Sequence, residues 1–508
     1  MRLFPLKQFA LKYRFETITL LCIFFLFFFL RFYHLKQLPI FVDEAIYARW
    51  AQLGWYDGSL RLVSLEDGKQ PLFIWLTTIT MNFIYNPVAA IRIVSVMAGL
   101  TTVIGLFLLS FELFKNRWIS LLSSLLYALY PFAIVINRMG IYESLVGAFL
   151  VWFAYFAIIL VRKSRLDIAL ILGLVLGGSL LTKSSGFINI YLSPLALLLL
   201  PKGKINKKHL LKLALLGLVT IGMGFLCYSS LLLSNKFYMI SEKDALFTYH
   251  IRELLPYHAF EKWDNNIINF LNWTVSYFTL PLFCFVAISF FKRERYKEKL
   301  LLLLWFLIPF LSLALFSRMP NPRYLFPLTL TLLPLAAFGL HNLYSLKKRW
   351  VFWGALCLTV GFLSFYNYKI LTDFANSPIP KEDIEQYSEG FSSGQGMREV
   401  IVFLQTEAQK QPIIIATEGT YGSLPTTVIQ IYFIHNTQTE LYAFNILPKR
   451  LDKQLYQKAK EKSVYLIFNQ TQSVRDWPLE LITKYKKGSS NLYLSLYKLK
   501  ACNILCSP

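Results

Sequence analysis

The chain has 508 residues, of which 56% are hydrophobic and only 16% are charged, and its mean hydropathy is +0.48. Soluble domains carry about 25% charged residues, so this chain lacks the polar surface that a soluble globule of its size needs. The composition excludes soluble enzymes and nucleic-acid binders. The excess of 52 Lys and Arg over 29 Asp and Glu is attributed to loop placement in a polytopic membrane protein, not to a nucleic-acid partner.

Eleven apolar segments are predicted to form membrane-spanning helices, on the criterion that about 20 apolar residues cross the hydrocarbon core. In chain order they are 15–32, 87–111, 118–136, 142–161, 168–182, 186–200, 210–234, 267–291, 300–316, 324–341 and 351–366. Segment 70–85 is left open between a further span and a helix lying along the membrane surface.

The loops between these segments alternate in charge. Lys and Arg cluster at 2–14, 115–117, 162–165, 202–208, 292–299 and 347–349. Positively charged loops face the cytoplasm, so the N-terminus is predicted to lie inside. The odd number of spans then places the C-terminus outside, in a multi-pass protein of the cell membrane.

Two domains are predicted. Residues 1–370 form a polytopic α-helical membrane domain that includes an outer loop at 36–86, and residues 371–508 form a small extracytoplasmic α/β domain. The α/β prediction rests on a helical pattern at 399–409, strand patterns at 412–417 and 463–468, and a further pattern at 492–499 that indicates an edge strand.

The first outer loop opens on two adjacent carboxylates, Asp43 and Glu44. On a helix these side chains point in different directions, and Tyr47 lies one turn away from both, where it can orient either. Ionisable groups at the ends of spanning helices are costly and are therefore functional candidates. The alternative for Asp43 is that it caps the helix that follows Pro39.

Further charged residues stand at other predicted outer helix ends. Lys69 precedes an aromatic helix, where it either meets a lipid phosphate or extends to the interface. Glu143 begins an apolar helix, and its alternative role is a dipole-favoured acid paired with Arg138. Lys183 lies in a polar kink, and the guanidinium fork of Arg323 suits phosphate oxygens. Carboxylates and cations together suit a substrate with a phosphate head and a lipid tail.

Five motifs in order give the chain a resemblance over residues 15–366. They read FVDEAIYARWAQ, KQPLFIWL, RMGIYESLVGAF, LLTKSSGF and PRYLFPL. With this topology, the chain resembles the GT-C membrane glycosyltransferases of the dolichyl-phosphate-mannose–protein mannosyltransferase and aminoarabinose transferase type.

The resemblance implies transfer of a sugar from a polyprenyl-phosphate-linked donor to a lipid, glycan or protein acceptor, at the outer side of the cytoplasmic membrane. It implies that Asp43 takes the place of the catalytic acid of the first loop, with Glu44 as its neighbour and Glu143 as the second-loop acid. Lys69, Lys183 and Arg323 match basic positions, and Arg138 is placed with them as a donor-phosphate ligand.

Two departures from the family pattern concern carboxylates. Relatives of the aminoarabinose type usually read Glu-Lys-Pro-Pro where this chain has Gly68-Lys69-Gln70-Pro71, so a potential metal ligand is missing. The second-loop acid is Glu where many relatives carry Asp. No cofactor follows with certainty from the sequence, and a divalent metal ion is left open.

The mechanism that these groups suggest is one inverting displacement. A carboxylate near an acceptor hydroxyl acts as general base, and cations stabilise the charge that grows on the phosphate leaving group. One rival is a transporter or flippase for a lipid-linked or anionic substrate, although the sequence shows no repeat and its ionisable groups gather at one side. A ligase or polymerase of lipid-linked oligosaccharides is the other.

Overall fold

A computed structural model of the chain describes residues 14–201, 203, 206–253, 258–344, 349–419, 422–444, 451, 453–473 and 477–500. The basic residues predicted to face the cytoplasm at 2–12, 202, 204 and 347–348 lie outside this set. The α-helices are α1 Arg14–Phe32, α2 Val42–Tyr56, α3 Leu72–Met81, α4 Pro87–Phe114, α5 Arg117–Leu129, α6 Pro131–Asn137, α7 Glu143–Lys163, α8 Leu166–Thr182, α9 Ile188–Leu192, α10 Lys207–Tyr228, α11 Met239–Phe247, α12 His258–Phe278, α13 Leu280–Ser289, α14 Tyr296–Phe316, α15 Phe326–Thr329, α16 Leu332–Tyr344, α17 Arg349–Thr372, α18 Lys381–Ile384, α19 Met397–Lys410, α20 Leu424–Tyr432 and α21 Lys453–Lys458. The strands are β1 Ile40–Phe41, β2 Ser393–Gly394, β3 Ile413–Glu418, β4 Thr439–Phe444, β5 Ser463–Phe468, β6 Leu479–Lys486 and β7 Tyr493–Leu499.

Within the described residues, six helices are long and apolar enough to cross a membrane, and up to nine spans result if each of three bent helix pairs counts as one. The pairs combine α5 with α6, α12 with α13, and Pro322–Thr329 with α16, at bends of 59°, 94° and 54°. Two shorter apolar helices, Leu166–Thr182 and Ser184–Leu199, occupy the fifth and sixth predicted segments. Each of the eleven predicted segments thus coincides with an apolar helix or helix pair, and the chain is a multi-pass membrane protein.

The open segment 70–85 forms the ten-residue helix α3. Ten residues rise about 15 Å, which is half the thickness of the hydrocarbon core. Helix α3 is therefore too short to be a span.

The first of two compact units comprises Met1–Tyr33, Leu62–Leu76 and Arg92–Leu371. In it α8 packs closely along α10, because Gly173 and Gly177 have no side chains on the shared face. A Cβ at Gly173 would lie 2.6 Å from Met223, and one at Gly177 would lie 2.5 Å from Cys227. Small residues let helix backbones approach in a membrane, and this contact fixes α8, whose end carries Lys183.

The second unit comprises His34–Arg61, Thr77–Ile91 and Thr372–Pro508. Its five-stranded sheet has the order β4-β3-β5-β7-β6, with β3 parallel to both β4 and β5. Helix α2 packs on α20, where the Gln52 side-chain amide donates to the carbonyl of Ile431 at 2.9 Å. This unit therefore groups two pieces of the first predicted outer loop with the C-terminal residues.

The predicted helix at 399–409 and the strands at 412–417 and 463–468 are confirmed as α19, β3 and β5. The prediction of an edge strand at 492–499 is wrong, because β7 lies between β5 and β6 and pairs antiparallel with both. The edges of the sheet are β4 and β6, and sequence reasoning missed both strands. Mixed exposure along β6 hides it from a search for apolar runs.

Candidate active site

A buried carboxylate and two cations meet in the first unit. Glu143 is the first residue of α7, and only 4% of it is exposed. The Lys183 ammonium donates to Glu143 Oε1 at 2.7 Å. Arg323 Nε lies 3.8 Å from the same oxygen. One buried carboxylate thus faces two cations, and the surplus positive charge favours an anion.

Local structure at the helix ends places these two cations. Helix α8 ends at Thr182, and the extended backbone of Lys183 turns its side chain out of the helical path. Arg323 lies in the one-turn helix Pro322–Leu325, and the side-chain oxygen of Asn321, the residue before this helix, accepts from the Arg323 N–H at 3.2 Å. The Lys183 ammonium also lies 4.8 Å from the centre of the Tyr324 ring, a cation–π contact.

Hydrogen bonds bring the Lys69 segment to the same helix ends. The Tyr142 hydroxyl donates to the carbonyl of Gln70 at 3.0 Å. The Gln70 side-chain amide donates to the hydroxyl of Ser184 at 2.7 Å. Gln70 is buried, and its side-chain amide attaches the segment to Ser184. Lys69 itself lies 5.9 Å from the Phe247 ring centre.

Asp244 on α11 is a neighbour that sequence reasoning missed. Its carboxyl is hydrogen-bonded to Ser184, and it interacts electrostatically with Lys183 and Lys69. Burial raises the pKa of Asp244 above its ordinary value, against the effects of the hydrogen bond and of both lysines. A carboxyl that holds its proton more readily neutralises less of the lysine charge. The sequence offered no signal beyond an acid in the segment 235–266, where four other acids also stand.

Arg138 does not pair with Glu143, so the ion pair considered from the sequence is wrong. Its guanidinium donates to the carbonyl of Tyr33 at 2.6 Å, and the residue is 2% exposed. The backbone turns between Asn137 and Glu143 so that Arg138 faces the end of α1, while Glu143 faces α8. Spacing of five residues in a hairpin does not determine which side chains meet.

The acidic pair lies in the second unit, on α2. Glu44 is fully buried, and its Oε2 accepts the backbone N–H of Phe41 at 3.0 Å. This is the usual reach of a Glu at the third helical position back to the N-cap. Asp43 is the second residue of the helix and Phe41 is the N-cap, so the alternative of an Asp43 cap is wrong. Tyr47 is 3% exposed, with its ring centre 5.6 Å from that of Trp50.

A metal ion at these carboxylates would need further ligands close by. In the part of the chain that the structure describes, no group of three or more His, Cys, Asp or Glu side chains is arranged to hold a metal ion. Asp67, the acid just before Gly68-Lys69-Gln70-Pro71, is paired with Lys243. The described residues therefore do not fit a metal centre at these carboxylates.

These features define a polytopic membrane protein with a cation-rich cluster at helix ends and a small α/β domain. Comparison with known structures shows that its fold is that of the GT-C glycosyltransferases. ArnT from Cupriavidus metallidurans, bound to undecaprenyl phosphate, is similar over 97% of this chain and 99% of that chain, with a TM-score of 0.64 at 14% identity. The archaeal oligosaccharyltransferase AglB from Archaeoglobus fulgidus, in complex with an inhibitory peptide and a dolichol-phosphate, is similar over 90% of this chain and 70% of that chain, with a TM-score of 0.53 at 12% identity.

The family comparison agrees with the fold. Residues 68–228 match the family described as dolichyl-phosphate-mannose-protein mannosyltransferase. This stretch includes Lys69, Glu143 and Lys183. No curated protein matches the chain. The resemblance to GT-C glycosyltransferases of the protein mannosyltransferase and aminoarabinose transferase type is confirmed.

Proposed function

We propose that this protein is an inverting glycosyltransferase that moves a sugar from a polyprenyl-phosphate-linked donor to an acceptor at the outer side of the cytoplasmic membrane. The observation that carries the proposal is the cluster of Lys183 and Arg323 on buried Glu143, with Lys69 attached to the same helix ends. The acceptor class is a lipid, a glycan or a protein, and membrane lipids surround the spanning helices.

The cations serve the leaving group. Negative charge grows on the polyprenyl phosphate as its bond to the sugar C1 breaks, and fixed Lys69, Lys183 and Arg323 stabilise that charge more than the ground state. A phosphate leaves without protonation, so the site needs no general acid. We assign Arg138 to holding the end of α1, since its guanidinium is committed to the Tyr33 carbonyl.

Asp43 is proposed as the general base that takes the proton of the acceptor hydroxyl. Of the adjacent acids, Glu44 is committed to the helix N-terminus through the Phe41 N–H. Asp43 is half-buried, and its position in the FVDEAIYARWAQ motif corresponds to the family's catalytic acid. Attack by the activated hydroxyl on C1, opposite the phosphate, inverts the anomeric centre.

The donor class rests on chemistry and on fold together. The similar ArnT structure holds undecaprenyl phosphate, and the similar AglB structure holds a dolichol-phosphate. Both are polyprenyl phosphates, whose single anionic head suits a cluster of three cations. The outer location follows from the positive-inside distribution of loops.

The test uses purified protein in lipid nanodiscs with undecaprenyl-phosphate-linked monosaccharides, offered one at a time. Release of undecaprenyl phosphate is measured by mass spectrometry in the presence of membrane extract as the acceptor source. Release with one sugar and not the others supports the proposal. Intact donor in every reaction contradicts it.

A ligase acting on lipid-linked oligosaccharides is the second candidate, since the fold is shared with an oligosaccharyltransferase. A parallel reaction with oligosaccharide-bearing donors separates the two functions. A transporter would move the donor between leaflets without cleaving it, so vesicle assays in which the lipid changes sides intact identify that alternative.

A further inference from the structure

The acidic helix begins on a strand contact with the C-terminal segment of the chain. β1 pairs antiparallel with β2, with Ile40 opposite Gly394 and Phe41 opposite Ser393. The N–H of Val42, the first helical residue, donates to the carbonyl of Ser392 at 3.0 Å. Every residue from 40 to 42 is therefore paired with the segment 392–394, immediately before Asp43.

Side-chain packing supports this strand pair. The Phe41 and Tyr387 rings meet edge to face with their centres 5.0 Å apart, and both residues are buried. At the other end of α2 the amide of Gln52 donates to the carbonyl of Ile431 on α20. The helix that carries Asp43 is thus held by the C-terminal domain at both ends.

A buried lysine holds the β2 segment from the opposite side. Lys487 follows β6 and is fully buried, and its ammonium donates to the carbonyls of Gly390 at 2.9 Å and Ser393 at 2.8 Å. The next turn adds a bond from the Ser489 N–H to the Glu389 carboxylate at 2.8 Å.

Burial of this ammonium is costly. It lowers the pKa of Lys487 to about 8, against the opposing effect of the Glu418 carboxylate. Since an apolar side chain would fill the same space without that cost, the two carbonyl contacts are the reason a lysine is useful here.

We infer that the C-terminal α/β domain positions the acidic helix, and that Lys487 is the positioning residue that fixes β2 and thereby the start of α2. The inference rests on the proposed function, in which Asp43 is the general base. Lys487 acts through backbone: its ammonium fixes Ser393, Ser393 pairs with Phe41, and Phe41 is two residues from Asp43. A misplacement of about 1 Å in a reacting group costs roughly 100-fold in rate.

The inference is tested with Lys487→Met, which keeps the length of the side chain and removes its donors. The neighbouring Lys486→Met is the matched control, because Lys486 is exposed. Lys487→Met is expected to lower kcat roughly 10- to 100-fold. Its affinity for undecaprenyl phosphate should equal that of the wild type, because the cations that bind phosphate lie in the other unit. Amide hydrogen exchange should become faster at 38–48 and 390–394 while β3 and β5 stay protected.

Two results overturn the inference: a kcat equal to that of Lys486→Met, or unchanged exchange at 38–48. Loss of protection in β3 and β5 would show that the domain has unfolded, and Tyr387→Leu then provides the test, since it removes the ring contact with Phe41. The same kcat, affinity and exchange criteria apply to it.

Failure of the proposed function gives a different pattern. If the wild type cleaves no donor, the glycosyltransferase proposal is contradicted. If the wild type is active and Lys487→Met has the same kcat, the positioning role of Lys487 is contradicted. The exchange measurement requires no substrate, so it decides in either case whether Lys487 holds the start of α2.

Discussion

The Lys183 ammonium lies 2.7 Å from Oε1 of Glu143, although the two residues are 40 positions apart in the sequence. One stands just past the end of α8 and the other at the start of α7, so antiparallel packing of two apolar helices brings them together. Arg323 approaches the same oxygen from a third helix end. Two cations thus share a single carboxylate, and the surplus positive charge favours an anion.

Replacement of Arg323 should weaken donor binding. A charge-assisted hydrogen bond contributes about 1.5–3 kcal/mol, so Arg323→Ala should raise the Kd for undecaprenyl phosphate roughly 10- to 150-fold. Arg323→Lys should restore part of the affinity, because the charge remains and the planar fork is lost. Arg318→Ala is the control, since the Arg318 guanidinium pairs with Glu253. Equal affinity of both Arg323 variants and the wild type would remove Arg323 from the site.

Replacement of Glu143 should act in the opposite direction on binding. The Glu143 carboxylate competes with the donor phosphate for Lys183 and Arg323, so Glu143→Gln should tighten binding of undecaprenyl phosphate. The expected change is up to roughly 10-fold, which corresponds to about 1.4 kcal/mol. Transfer should slow, because the cations lose the group that orients them. Weaker binding by this variant would show that orientation of the cations outweighs competition.

Replacement of Asp43 should abolish turnover and leave donor binding intact. Loss of a general base costs about 10²–10⁴-fold in rate, so Asp43→Asn should reduce kcat by that factor. Glu44→Gln should cost less, because a Gln at the third helical position still accepts the Phe41 N–H. Single-turnover rates with the cognate donor provide the measurement. Near-normal turnover in Asp43→Asn would transfer the role of base to another group.

Asp244 should make stability depend on pH. Its pKa is raised by burial, so the folded protein binds this proton more tightly than the unfolded chain. The resulting stabilisation is fully present below the unfolded pKa of about 3.9. It is lost as pH rises through the raised folded value. In Asp244→Asn, Tm should therefore fall less than in the wild type as the pH rises above the unfolded pKa of about 3.9. At neutral pH the Tm of this variant should not be lower than that of the wild type.

The control for this measurement is Glu242→Gln on the same helix, since Glu242 is exposed. It should keep the wild-type dependence of Tm on pH. A wild-type slope in Asp244→Asn would show that the carboxyl ionises as freely in the folded protein as in the unfolded chain.

The orientation in the membrane is testable with two single cysteines in a background without native cysteines. Lys163 and Lys410 are exposed, and they lie in a predicted inner loop and in the predicted outer domain. A membrane-impermeant maleimide added to intact cells should label Lys410→Cys and leave Lys163→Cys unmodified until the membrane is permeabilised. Labelling of both without permeabilisation would contradict the predicted topology. Lys163 is preferred to its neighbour Ser164 as the labelled position. Ser164 is buried, and its hydroxyl is hydrogen-bonded to His209.

The lengths of the apolar runs and the positions of the charged residues are enough to predict which segments form apolar helices and which residues stand at their ends. Every predicted segment coincides with an apolar helix or helix pair. This is because the length of an apolar run and the charge of its flanking loops are local properties that determine whether a segment crosses a bilayer. The order of the motifs also predicted that Glu143, Lys183 and Arg323 belong to one site.

Which of these residues are in contact depends on the folded chain. Glu143 faces Lys183 and not nearby Arg138, because helix packing, not spacing along the chain, fixes the directions of the side chains. Asp244 lies beside Lys183 and Lys69, although no pattern in the sequence indicates this. No pattern in the sequence distinguishes Lys487 from the other lysines of the C-terminal segment. The turn after β6 places its ammonium against two backbone carbonyls. Such contacts join residues far apart in sequence, and their energy depends on burial that exists only once the chain is folded.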